Sequence, residues 1–92
     1  MIRALVLYDE EPDADRYAEH VEFCRKVPGA TFRHGKITGA PMGEPAHKYY
    51  AEFEWPDQES FKQGVSSPEF MATGKDAMAM GKRMSVEFAS IE

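Results

Sequence analysis

From His47 to Trp55 the chain alternates with a period of two: Tyr49, Ala51, Phe53 and Trp55 fall on one side, Tyr50, Glu52 and Glu54 on the other. A strand with one apolar and one mixed face belongs to a sheet that is covered on one side and open on the other. Pro56 ends the strand because proline cannot donate to the ladder. Three more segments read as strands. Met1 to Tyr8 is rich in aliphatic residues, Thr31 to Thr38 mixes β-branched and aromatic residues with basic ones, and Met84 to Ile91 sets Met84, Val86 and Phe88 against Ser85, Glu87 and Ala89.

Between the strands the period changes. From Pro12 to Val27 the less polar side chains fall at Tyr17, Val21, Cys24 and Val27, one face of a helix, with Asp13, Arg16, Glu19, Glu22, Arg25 and Lys26 opposite in water. Acids early and bases late suit the helix dipole, and Pro28-Gly29 stops the helix. Gly39 to Pro45 holds two glycines and two prolines in seven residues and is a loop, with Met42 as an apolar cover. Asp57 caps the next helix, which carries Phe61 and Val65. Ser67 as cap and Pro68 at the first helical position restart a second piece carrying Phe70, Met71, Ala77 and Met78, which Gly81 closes.

The order β-α-β-β-α-β predicts an α+β fold, the ferredoxin-like split βαβ: an antiparallel four-stranded sheet with helices on one face, as one domain over residues 1–92. A chain of 92 residues buries only roughly 60 to 65% of its unfolded surface, so little stability is spare. Pairing the open faces of two copies into a closed, barrel-like homodimer is the economical outcome.

Composition narrows the function classes. The chain is 42% hydrophobic and 29% charged, with no run near the ~18 apolar residues that span a membrane. Its net charge of −5 and scattered basic residues argue against nucleic acid. A single cysteine, Cys24, cannot form an internal disulfide, and the opening strand does not resemble a secretory signal; a cytoplasmic protein is expected.

His20 is the candidate for chemistry, because it puts an imidazole on the apolar stripe of the first helix. The plain reading is a core-edge histidine bonded to backbone or water; the functional one is a general acid/base that accepts and donates a proton near neutrality. Tyr8, Tyr17 and Tyr49 are candidate hydrogen-bond partners for a ligand oxygen, Tyr17 lying one turn from His20. Met71, Met78, Met80 and Met84 crowd around the second helix as flexible core or as the lining of an adaptable cavity, with Met78 the candidate ligand contact. His34, among basic neighbours, is expected in water, and Glu52 paired with a base across the strands. No histidine or cysteine spacing suits a metal, no glycine-rich turn suits a phosphate, and no cofactor is called for.

The opening strand, the helix with His20 and its Val27-Pro28-Gly29 stop, the aromatic strand Tyr49 to Trp55, the Ser66-Ser67-Pro68-Glu69 restart and the closing strand together resemble the EthD family, the ethyl tert-butyl ether degradation proteins of the dimeric α/β-barrel superfamily. Two positions depart from it. Glu22 stands where members commonly carry a proline, and Arg16 where a tyrosine is usual, Tyr17 falling one place late. The resemblance implies a homodimer with a cavity between helices and sheet for a small hydrophobic organic molecule, in an oxidative degradation, oxidoreductase-type setting with a partner oxygenase system. It also leaves room for a cofactor-independent monooxygenase, for an isomerase or cyclase using His20, for an accessory binding module without chemistry, and for haem held by His20 or His34.

Overall fold

A computed structural model describes residues 1–92 as seven elements: β1 (Ile2–Tyr8), α1 (Ala14–Cys24), β2 (Thr31–Lys36), β3 (Tyr49–Trp55), α2 (Gln58–Val65), α3 (Pro68–Ala79) and β4 (Met84–Ser90). The four strands form one antiparallel sheet in the order β2-β3-β1-β4, the ferredoxin-like arrangement that the element order predicts. The predicted helix restart is present. Asp57 caps α2 by accepting from the Ser60 amide at 2.8 Å, and Ser67 caps α3 by accepting from the Phe70 amide at 3.1 Å.

Register sets the two faces. Ala4 pairs with Phe53 and Phe88, Val6 with Ala51 and Val86, and Phe32 with Phe53, so these side chains share the helix side. The core collects there: Ala4, Tyr8, Ala51, Phe53 and Trp55 from the sheet, and Tyr17, Val21, Cys24 and Val27 from α1 and its exit turn. Each fully buried large side chain contributes about 1.5–3 kcal/mol relative to exposure. Trp55 is the anchor. Its indole N–H donates to the Pro28 carbonyl at 3.1 Å, and its ring lies against Gly64 so closely that a Cβ there would overlap it.

Four expectations are revised. The first helix runs Ala14–Cys24 rather than Pro12 to Val27: Asp13 accepts from the Arg16 amide at 3.0 Å as cap, and the chain leaves through a tightened turn in which Lys26 and Val27 donate three residues back. Gly29, at φ 74°, completes that exit in a conformation that glycine tolerates. The outer strands are shorter than predicted, β2 ending at Lys36 and β4 at Ser90. The apolar side of β4 is not sealed, because it is the sheet edge beyond the helices; Phe88 is 58% exposed although it meets Phe61 edge to face. Finally, the methionines divide. Met80 and Met84 pack against the core, whereas Met71 and Met78, seven residues apart on the outward stripe of α3, are exposed.

On the open side of the sheet Arg33 donates to Glu52 and Glu54 at 2.8 Å each, and Arg3 donates to Glu54 at 2.9 Å. Glu52 therefore has the cross-strand base expected of it. No helix is long and apolar enough to cross a membrane.

Candidate functional site

His20 lies on the sheet-facing stripe of α1 and is 3% exposed. Its protein partner is not backbone but a side chain of another helix: Nδ1 stands 2.8 Å from Oδ2 of Asp76, on α3. The same carboxylate receives Arg16, whose guanidinium donates to Oδ1 at 2.8 Å and to Oδ2 at 3.2 Å. The Arg16 hydrogen bonds hold the Asp76 carboxyl below the usual carboxylate range against the opposing effect of its burial, with His20 adding to the depression. Arg16 is thus turned from the expected solvent face into a bridge. At one turn before His20, and with a long stem, it reaches the carboxylate beside α1.

Beneath His20 is a hollow of about 110 Å³ between the helices and the sheet. Its roof is His20 and Cys24 from α1 with Phe70, Thr73, Gly74 and Ala77 from α3, the spacing i, i+3, i+4, i+7 of one helix face. Its floor is Val6, Tyr8, Phe32, Ala51 and Phe53, with Met84 and Val86 toward the β4 edge. The Thr73 hydroxyl donates back to the Glu69 carbonyl at 3.0 Å. Burial pushes the Cys24 thiol up to about 12, which leaves it an unreactive thiol at neutral pH. The Tyr8 hydroxyl is likewise pushed up to about 12 by burial and stays protonated. No protein group bonds His20 Nε2, so the imidazole is the one basic group that this lining offers.

A second, larger hollow of about 430 Å³ opens on the other flank of α1, walled by Ala14, Tyr17, Ala18 and Val21 against His34, Lys36 and Tyr49, with Glu11 and Glu22 at its rim. Tyr17 stands between the two. Its ring centroid is 5.4 Å from His20, 5.9 Å from Tyr8, 5.3 Å from His34 and 5.2 Å from Tyr49. Its buried hydroxyl makes no hydrogen bond of good geometry, the Tyr8 hydroxyl being its one polar side-chain neighbour. His34 is exposed, as expected, but not simply solvated: its Nδ1 is 2.7 Å from the Tyr49 hydroxyl.

The predicted tyrosines thus gather around Tyr17, which alone packs its ring on His20; Tyr8 lines the small hollow with His20, and Tyr17 and Tyr49 line the large one, which His20 does not reach. Met78 does not join them. It is 79% exposed and lines neither hollow, because it projects from the outward stripe of α3. Asp76 is the residue that sequence reasoning missed. It is 56 residues from His20, and nothing in the spacing of a lone aspartate on a helix announces a partner so distant. No three His, Cys, Asp or Glu side chains converge to hold a metal ion.

A split βαβ sheet with a histidine-roofed hollow under its helices defines the class: a ferredoxin-like α+β protein with a partly open, largely apolar hollow between helices and sheet. No protein-family model and no curated protein matches the chain. Solved structures do. An ethyl tert-butyl ether degradation (EthD) family protein from Bacillus halodurans C-125 superposes with a TM-score of 0.81 at 30% identity, over 100% of this chain and 99% of that one. The chain belongs to the EthD family. A dimeric ferredoxin-like protein of unknown function from Jannaschia sp. CCS1 matches at TM-score 0.73 and 20% identity, over 98% of each chain. SnoaB, a cofactor-independent oxygenase from Streptomyces nogalater, shares the fold at TM-score 0.62 and 14% identity, over 99% of this chain and 92% of that one.

Proposed function

We propose that this protein is a cytoplasmic homodimer that binds a small hydrophobic organic molecule in the hollow beneath His20 and takes part in its oxidative breakdown. The observation that carries the reading is the hollow itself: a largely apolar space of about 110 Å³ lined by the imidazole of His20, whose Nε2 has no protein hydrogen-bond partner. A dry apolar cavity of roughly 150 Å³ holds benzene, so a hollow of about 110 Å³ takes at most a single ring or a short branched chain. Tyr8 is the donor available to a ligand oxygen in the small hollow, Tyr17 and Tyr49 those of the larger one.

The oxidative setting draws on the EthD relative and on the cofactor-independent oxygenase of like fold; a partner oxygenase would supply the oxidation if this chain does not. Dimerisation is supported by the dimeric relative and by the open sheet face. There Leu5, Leu7 and Tyr50 are half-buried beside two arginines and two glutamates that neutralise one another, a face that a second copy covers without burying net charge.

A second reading rests on the free Nε2: an isomerase or cyclase in which His20 moves a proton on an activated carbon. Native mass spectrometry of freshly purified protein tests the leading reading, which predicts a dimer retaining a small organic molecule. A bare monomer would contradict it. His20→Ala separates the two: loss of turnover with ligand affinity intact marks acid/base chemistry, whereas no change in either leaves the residue structural.

A further inference from the structure

We infer that Asp76, held by Arg16, is the positioning residue that fixes the tautomer of His20, and that the site takes a neutral single-ring compound bearing one acidic hydrogen. The inference rests on the proposed binding of an apolar molecule beneath His20.

Three observations carry it. Asp76 Oδ2 is 2.8 Å from His20 Nδ1, and a carboxylate can only accept, so the ring proton of neutral His20 sits on Nδ1. Arg16 binds the same carboxylate through two nitrogens, at 2.8 Å and 3.2 Å, which keeps it ionised and its orientation fixed. The lone pair is then on Nε2, which has no protein hydrogen-bond partner, and the ring lines a hollow whose other walls are apolar apart from the Tyr8 hydroxyl and the Thr73 hydroxyl, the latter bonded to the Glu69 carbonyl. A cation would lose its hydration there without a counter-ion, and an anion would meet one only in an already protonated His20, so a ligand that gives its proton to Nε2 enters neutral.

The step balances with no further reagent. An O–H or acidic C–H bond of the ligand breaks, its proton forms the Nε2–H bond, and the electron pair stays on the ligand. The resulting imidazolium is stabilised by Asp76, and the bidentate Arg16 contact opposes onward transfer of the Nδ1 proton to the carboxylate. A structural clamp between α1 and α3 would fix the same tautomer but would give a ligand with an acidic hydrogen no advantage over one without it.

The test is imidazole ¹⁵N NMR on the intact protein, with phenol as probe and anisole as the same ring without the acidic hydrogen. The wild type should show the proton on Nδ1, an Nε2 signal that moves with phenol, and about tenfold tighter binding of phenol than of anisole. In Asp76→Asn the Nδ1 preference should be lost and the phenol advantage should fall to about twofold or less, with anisole affinity unchanged. Arg16→Gln, which keeps the carboxylate, should keep the tautomer. A wild-type proton on Nε2 would overturn the proposal without any variant, as would an unchanged tautomer in folded Asp76→Asn. Equal affinity for both probes would overturn the ligand class. Binding of neither probe, with a tautomer that still responds to Asp76→Asn, would instead overturn the underlying hydrophobic-ligand reading and leave the role of Asp76 supported.

Discussion

At the scale of single residues, the Arg16–Asp76–His20 group ties stability to pH. The Asp76 carboxyl lies below its ordinary value in the fold because of Arg16, and that of Glu54 lies below its own because of Arg3. A carboxyl depressed by folding contributes stability that is complete above its unfolded value near ~4 and is lost as pH falls through the lower folded value. Thermal midpoints should therefore be flat above about pH 5 and fall below about pH 4, the fall being shallower in Asp76→Asn. Asp76→Asn should also cost about 1–3 kcal/mol at neutral pH, the magnitude of lost charged hydrogen bonds, read by urea denaturation. Tyr17 gives the opposite sign. Its buried hydroxyl makes no hydrogen bond of good geometry and has only the Tyr8 hydroxyl nearby, so Tyr17→Phe removes a desolvated group for at most a weak contact and should be neutral or stabilising by up to about 1 kcal/mol. A loss larger than about 1 kcal/mol would mean that the hydroxyl is satisfied after all.

At the scale of elements, what was legible in the sequence is what depends on neighbours along the chain. The alternation of Tyr49 to Trp55, the caps Asp57 and Ser67 and the apolar stripe of α1 are local signals, and each appears in the fold. The misreadings concern relations between elements. Arg16 has the polarity of a surface residue, and only the approach of α3 gives it Asp76. Met78 has the polarity of a core residue, and only the way α3 turns Phe70, Thr73, Gly74 and Ala77 inward sends it outward. For the same reason the importance of Gly64 is invisible in the sequence: it exists because α2 lies against Trp55. Gly64→Ala would drive a Cβ into the indole and should cost about 1–3 kcal/mol, as overpacking does, seen as a lower thermal midpoint. An unchanged midpoint would show that α2 can lift from β3 at little cost.

At the scale of the whole molecule, two sheet faces have different fates. The helix side encloses the hollow; the open side presents Leu5, Leu7 and Tyr50 around the Arg3, Arg33, Glu52 and Glu54 network. Sedimentation equilibrium at micromolar concentration should give twice the 10.4 kDa chain mass, and Leu5→Asp, which buries an unpaired charge at that face, should shift the species toward monomer. Met84 and Val86 put one side of the hollow beside the exposed β4 edge, the side by which the proposed ligand would enter. The central claim is that an apolar molecule of one ring occupies the space beneath His20. Chemical-shift mapping with benzene tests it most directly: saturable shifts confined to His20, Cys24, Phe53, Phe70, Ala77 and their neighbours are predicted. Shifts that map elsewhere, or none up to the solubility limit of benzene, would contradict it.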